Sequence, residues 1–81
     1  MFRKLIESRF LEVEGQRYQT HYFEQKTARG ARRFSCEVLL NDGDRIILDD
    51  DSLTSLETKV ARLAPETVYS RVLAGRRSVA A

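Results

Sequence analysis

The sequence predicts an α+β fold, a four-stranded antiparallel β-meander followed by a C-terminal helix and a second short helix. Phe34, Cys36, Val38 and Leu40 alternate with the polar residues Ser35 and Glu37, which is the period of a strand with one buried face. The next residues, Asn41-Asp42-Gly43, favour a turn, and a second apolar run comes directly after them. From Leu53 onward, apolar residues recur at three- and four-residue intervals, as in an amphipathic helix. Every connection is too short for a crossover, so neighbouring strands should run antiparallel.

The first predicted hairpin joins strands at Phe10–Glu14 and Arg17–Lys26. The first segment alternates, and the second is rich in residue types that favour strands. Gly15-Gln16, between them, suits a two-residue type II′ turn, which would set Val13 opposite Tyr18. We therefore expect a tight hairpin at the start of the sheet.

The third and fourth predicted strands span Arg32–Leu40 and Asp44–Asp49. A three-residue loop with Gly43 in the left-handed conformation would pair Val38 with Ile46, whereas a two-residue turn would shift this pairing by one position. The longer loop sets apolar residues opposite apolar residues, so we predict it. The same phase predicts three further pairs: Cys36 with Leu48, Tyr22 with Cys36, and Thr20 with Val38.

The first predicted helix spans about Leu53–Ala64, and Ser52 or Asp51 can cap its first free amides. Proline is favourable at the first position of a helix, so the chain should break there and start a second short helix over Pro65–Ala74. Gly75 then indicates the end of that helix. The residues expected to face the sheet are Leu53, Leu56, Val60 and Leu63 in the first helix, and Val68, Tyr69, Val72 and Leu73 in the second.

The 81 residues suffice for a single domain, with residues 1–8 expected to be a loose lead-in and residues 76–81 a loose tail. Hydrophobic residues make up 42% of the chain and charged residues 32%, a composition that argues against disorder. The sequence shows neither a secretory signal nor an apolar run long enough to span a membrane. Cys36 is the only cysteine, which excludes an intrachain disulfide and fits a reducing cytoplasm.

Alternation divides the strand side chains into two sets, one on each face of the sheet. The set expected to form the core is Leu11, Val13, Tyr18, Thr20, Tyr22, Phe34, Cys36, Val38, Leu40, Ile46 and Leu48. The opposite set includes four large apolar side chains, those of Phe10, Phe23, Leu39 and Ile47, although a solvated face should be polar. Three explanations compete. The second helix or the N-terminal segment covers this face, or the face forms a symmetric dimer interface, or it is a nucleic-acid platform.

The sequence offers no catalytic constellation. His21 and Cys36 fall on opposite faces in the predicted register, so a nucleophilic Cys–His pair is not expected. The aspartates between Asp42 and Asp51 lack the regular spacing and the closing glutamate of a calcium loop, and turn formation with helix capping accounts for them. We expect no enzyme activity, no cofactor and no metal.

The leading hypothesis is a non-catalytic cytoplasmic protein-interaction module, which binds a partner protein or forms a homodimer through the second sheet face. Its expected contact residues are Phe10, Phe23, Leu39 and Ile47. The alternative is a weak nucleic-acid-binding module, which a net charge of +2 and a pI near 9.0 permit without requiring it. Phe23 would then stack on a base, and the phosphate contacts would come from Arg17, Arg29, Arg32, Arg33 and Arg45.

Overall fold

A computed structural model describes the backbone of residues 2–40 and 43–80 and the side chains of residues 3–40 and 43–74. The elements are β1 (Phe2–Val13), β2 (Gln16–Lys26), β3 (Arg32–Leu39), β4 (Arg45–Asp50) and α1 (Leu53–Ala80). The strands form one antiparallel sheet in the order β1-β2-β3-β4. The predicted four-stranded meander with a C-terminal helix is therefore confirmed, whereas the prediction of a second short helix is wrong.

The first hairpin turns one residue earlier than predicted. Its central residues are Glu14 and Gly15, with φ values of 52° and 76°. Two positive φ angles define a type I′ turn, whose twist matches that of the flanking strands. The pair opposite Tyr18 is therefore Leu11 and not Val13. This shift of two positions leaves each side chain on its predicted face, because the period of a strand is also two.

Strand β1 begins at Phe2, within the segment predicted to be a lead-in. The pairing shifts between Leu5, which lies opposite Phe23, and Glu7, which lies opposite Tyr22. Ile6 is thus the extra residue of a β-bulge, and the alternation inverts on either side of it. A single period of two therefore does not fit the whole strand, which explains why the sequence pattern alone missed its first half.

The other strand pairings are those predicted. Tyr22 lies opposite Cys36 and Thr20 opposite Val38, and the next register sets Val38 opposite Ile46 and Cys36 opposite Leu48. The amide of Leu40 donates a hydrogen bond of 2.8 Å to the carbonyl of Asp44, which closes the loop of residues 41–43. Gly43 takes the expected positive φ of 78°, and Asn41 and Asp42 lie outside the described residues.

Ser52 caps the N-terminus of α1, as one of the two predicted alternatives. Its side-chain hydroxyl accepts a hydrogen bond of 3.1 Å from the amide of Ser55, and its carbonyl accepts one of 3.0 Å from the amide of Leu56. The first contact satisfies one of the amides that lack a partner at a helix start, and the second is the first regular hydrogen bond of the helix.

The helix continues through Pro65 and beyond Gly75, so the predicted break and stop are both wrong. A proline inside a helix removes one amide donor, here the partner of the Ala61 carbonyl, and its ring crowds the preceding turn. Ala64 and Val68, on either side of the proline, are both fully buried against the sheet. This packing accounts for the helix remaining continuous across the proline.

One face of the sheet and one side of α1 form the core. The sheet contributes Tyr18, Tyr22, Cys36, Val38 and Ile46, and the helix contributes Leu56, Val60, Ala64 and Val68. The buried residues of the helix recur every four positions, so Ala64 lies in the core where Leu63 was predicted. Leu63 is 37% exposed, and Tyr69, which was also predicted to face the sheet, is exposed as well. The small alanine side chain lets the helix backbone lie close to the strands. No helix of the described chain has the length and apolar character needed to cross a membrane.

Candidate functional site

Helix α1 packs on the face that carries Tyr22, Cys36 and Val38. The opposite face has no covering helix or strand among the described elements, and the N-terminal segment extends the sheet as β1 instead of folding over it. We call it the open face. Its side chains are those of Arg3, Leu5, Ser8, Phe10 and Glu12 in β1; Arg17, Gln19, His21, Phe23 and Gln25 in β2; Arg33, Ser35, Glu37 and Leu39 in β3; and Arg45, Ile47 and Asp49 in β4.

The four apolar residues predicted for partner binding all lie on the open face but differ in exposure. Phe10 on β1 is 61% exposed and Ile47 on β4 is 56% exposed. Phe23 and Leu39, on the two inner strands, are half-buried. The guanidinium of Arg3 covers Phe23 at 3.8 Å from the ring centroid. The exposed apolar surface is therefore at the two edges of the sheet.

A carboxylate occupies the centre of the open face. Glu37 is only 6% exposed. It accepts a 2.5 Å hydrogen bond from Arg3, which reaches it across β2. Arg45 approaches from β4, with its Nη1 at 3.6 Å from the same Glu37 oxygen. Two guanidinium groups thus neutralise the carboxylate and shield it from water.

The arginines proposed for nucleic-acid binding do not form one surface. Arg17, Arg33 and Arg45 share the open face, whereas Arg32 follows the phase of the core face and Arg29 is exposed in the turn between β2 and β3. The open-face residue Arg17 lies over the Phe10 ring at 4.4 Å from its centroid.

Two of these arginines are engaged by carboxylates. Arg33 donates a 2.9 Å hydrogen bond to Asp49 and a second bond to Asp51. Arg32 holds Glu24 through two bonds of 2.9 Å. The hydrogen bond from Arg32 lowers the pKa of the Glu24 carboxyl, and the bond to Asp49 raises the pKa of Arg33. Carboxylates therefore already use part of the donor set of each guanidinium, and their negative charge opposes a phosphate at the same place.

His21 and Cys36 lie on opposite faces, as predicted. The Nδ1 of His21 is 2.8 Å from the hydroxyl of Ser8 on the open face. Cys36 is fully buried in the core, and burial raises the pKa of its thiol to about 11. Because the thiolate is the reactive form, Cys36 is a core residue and not a nucleophile.

Two arginines of β1 were missed by sequence reasoning, Arg3 on the open face and Arg9 on the helix side. Arg9 donates hydrogen bonds of 2.6 Å to Glu7 and 2.8 Å to Glu57, which ties β1 to α1. Arg3 was missed because a strand before Phe10 was not predicted. The signal available in the sequence is the two-residue spacing of Arg3 and Leu5, which places them on the same face of a strand. It fits the rest of β1 only if a bulge is allowed after Leu5.

A groove of about 200 Å³ lies between the first hairpin turn and the second half of α1. Apolar side chains such as Val13, Tyr69 and Val72 line it, and Glu14 is the only carboxylate among its lining residues. Among the side chains described, no group of three His, Cys, Asp or Glu residues is arranged to hold a metal ion. The open face is accordingly the main candidate site. No family model matches the chain, and comparison with curated proteins and with solved structures found no similar protein.

Proposed function

We propose that this protein is a non-catalytic protein-interaction module and that the open face is its binding surface. The observation that carries the proposal is the exposure of Phe10 and Ile47 on a sheet face that no described element covers. An antiparallel face that only contacts water is normally polar, and large exposed apolar side chains on it indicate a partner.

The polar groups of the open face support binding better than catalysis. Glu37 is held by Arg3 and Arg45, and Arg33 is held by Asp49. A general acid or base needs a perturbed group with access to a substrate, whereas these groups are satisfied by one another. Glu37 is already buried when the face is free, so a partner would not have to desolvate this carboxylate.

The geometry defines what a partner must offer. Strands β1 and β4 are separated by three strand spacings, about 14 Å, and Ile47 lies level with Ser8, two residues along β1 from Phe10. Phe10 and Ile47 are therefore contact points about 16 Å apart on opposite sides of the paired centre. A protein surface with two apolar side chains at about this separation would engage both. We propose that the module works in the cytoplasm, because its single thiol is buried and unpaired.

Site-specific photo-crosslinking in the native host tests the proposal. A photoreactive phenylalanine analogue at position 47 should give a discrete protein adduct, because Ile47 lies on the open face. The matched control is the same analogue at Leu63, which is also an exposed apolar residue but lies on the helix. The purified partner should then bind at least about tenfold more weakly to Ile47→Ser. Adducts of equal yield at both positions, or at neither, would contradict the proposal.

A second candidate is weak binding of single-stranded nucleic acid, favoured by the exposed Arg17 guanidinium stacked on Phe10. Such a pair offers a cation and an aromatic surface together. An amide NMR titration with short RNA and DNA should then shift β1 and β2 signals at physiological salt. Arg17→Ala should weaken binding more than Arg33→Ala, because Arg33 is occupied by Asp49. Absence of shifts leaves the protein-interaction proposal.

A further inference from the structure

The two outer edges of the sheet differ in their protection. Strand β4 has only 6 residues. Lys59 of α1 donates a 2.7 Å hydrogen bond to the Asp49 carbonyl, which points outward from that edge. Strand β1 has 12 residues. Its bulge at Ile6 disturbs the N-terminal half, but Glu7–Val13 is regular. A regular, uncapped edge segment is able to pair with another strand.

The pairing within the first hairpin determines which groups of β1 point outward. A two-residue turn closes on a hydrogen-bonded pair, here Val13 with Gln16, and bonded and non-bonded pairs then alternate. The backbone groups of Leu11 and Arg9 are therefore used within the sheet. Those of Ser8, Phe10 and Glu12 point toward the free edge.

We propose that a second copy of this chain pairs antiparallel with the Glu7–Val13 edge, with the two-fold axis at Phe10. The two sheets then form one continuous sheet of eight strands. This dimer goes beyond the proposed partner binding, because it uses the backbone of one edge and leaves Ile47 of the open face available.

The register follows from three requirements: outward groups must meet outward groups, like charges must not face each other, and the pairing must avoid the bulge. A two-fold axis at Arg9 sets two arginines opposite each other and pairs fewer residues. An axis at Leu11 also shortens the pairing, because it runs into the turn. An axis at Phe10 pairs all of Glu7–Val13, with the two Phe10 rings side by side and Ser8 opposite Glu12 of the second copy.

The difference between the edges also explains why such an assembly would stop at two copies. The contact is isologous, so the β1 edge of each copy is fully used by the other. The edges that remain are the two β4 strands, where Lys59 caps the Asp49 carbonyl. The two-fold axis runs perpendicular to the sheet, so both open faces lie on the same side. They join into one surface, with the Phe10 pair at its centre and Ile47 near each end.

Two substitutions that place opposite charges at Ser8 test the proposed register. Sedimentation equilibrium measures the dimer dissociation constant of each variant. Ser8→Glu places a carboxylate opposite Glu12 of the second copy, and Ser8→Lys places an ammonium there. Both substitutions remove the same Ser8–His21 contact, so each controls for the other. The dimer dissociation constant of Ser8→Glu should exceed that of Ser8→Lys about tenfold, because each charge pair occurs twice. Adding Glu12→Lys to Ser8→Glu should restore the affinity. A wild-type monomer at the highest soluble concentration, or equal constants for both variants, would overturn the proposal.

N-methylation of a single backbone amide, introduced by chemical synthesis, distinguishes pairing through the β1 edge from binding through the open face. N-methyl-Phe10 keeps the phenyl ring but removes the outward amide donor, so it should abolish the dimer. N-methyl-Ile47 is the matched control, because its amide points outward on β4 and its side chain lies on the same open face. Dimerisation unaffected by N-methyl-Phe10 would refute the edge pairing, whereas partner crosslinking at position 47 tests the open face independently.

Discussion

Arg3 of β1 and Glu37 of β3 form a 2.5 Å ion pair that crosses the intervening strand β2. On its way, the Arg3 guanidinium lies 3.8 Å above the centroid of the Phe23 ring. One side chain therefore connects three strands and covers an aromatic ring that would otherwise be exposed. The N-terminal half of β1 thereby contributes to the order of the open face.

Glu37→Ala should lower the free energy of unfolding by about 1–2 kcal/mol, because it removes a shielded, charge-assisted hydrogen bond. The loss is limited because Arg3 is partly exposed and can regain water. Urea unfolding measures the difference. Glu66→Ala, at an exposed carboxylate on α1, should change stability by less than about 0.5 kcal/mol. Similar values for the two variants would mean that the Glu37 ion pairs contribute nothing to folding.

The sequence predicts the sheet well where one period of two holds throughout a strand. Alternation in β3 and β4 sufficed to set Val38 opposite Ile46, because a slip of one residue would have exposed the apolar side chains. It failed before Phe10, because the bulge at Ile6 inverts the phase and makes the segment look irregular. Bulge positions depend on the neighbouring strand, which local sequence does not describe.

The candidate site was predictable in part for the same reason. Phe10 and Ile47 were assigned to the second face from their phase, and both are exposed there. The partial burial of Phe23 was not foreseeable, since it depends on Arg3 in the missed half of β1. Ion pairs such as that of Arg33 with Asp49 also join distant parts of the chain, and composition does not reveal them.

Pro65→Ala should raise the stability of the protein, by about 1–3 kcal/mol, because it supplies the missing amide donor to the Ala61 carbonyl and relieves crowding in the preceding turn. Thermal unfolding followed by circular dichroism gives the change in Tm. A proline at the start of a separate helix would be favourable, so in that case the same substitution would be neutral or destabilising. The sign of the change therefore distinguishes one continuous helix from two.

Leu56→Ala and Leu63→Ala compare the buried and exposed sides of the same helix. Leu56 is fully buried, so its truncation should cost about 2–5 kcal/mol, a large share of the stability of a domain of this size. Leu63 is 37% exposed, and its truncation should cost less than about 1 kcal/mol. Urea titrations of both variants measure this. Comparable losses of stability would mean that Leu63 is buried in the core, and would contradict the observed packing of Ala64 against the sheet in its place.

Two buried groups should make the protein unstable in alkali. Burial raises the pKa of the Cys36 thiol from 9.0 to about 11 and that of the Tyr22 hydroxyl from 10.0 to about 12. Each group is an acid whose folded-state pKa lies above its unfolded value, so the unfolded chain releases its proton first as the pH rises. Stability should be complete below pH 9.0 and decline as the pH rises toward 11.

Cys36→Ala isolates the contribution of the thiol. Between pH 9 and pH 11 the free energy of unfolding of the wild type should fall by about 2 kcal/mol more than that of the variant. The variant leaves a small cavity and should be less stable at pH 8, but its decline should start about one pH unit later, where Tyr22 begins to titrate. Urea midpoints measured across this range give both curves. Parallel curves would show that Cys36 titrates with the same pKa in the folded and unfolded states, against the burial of its thiol beneath α1.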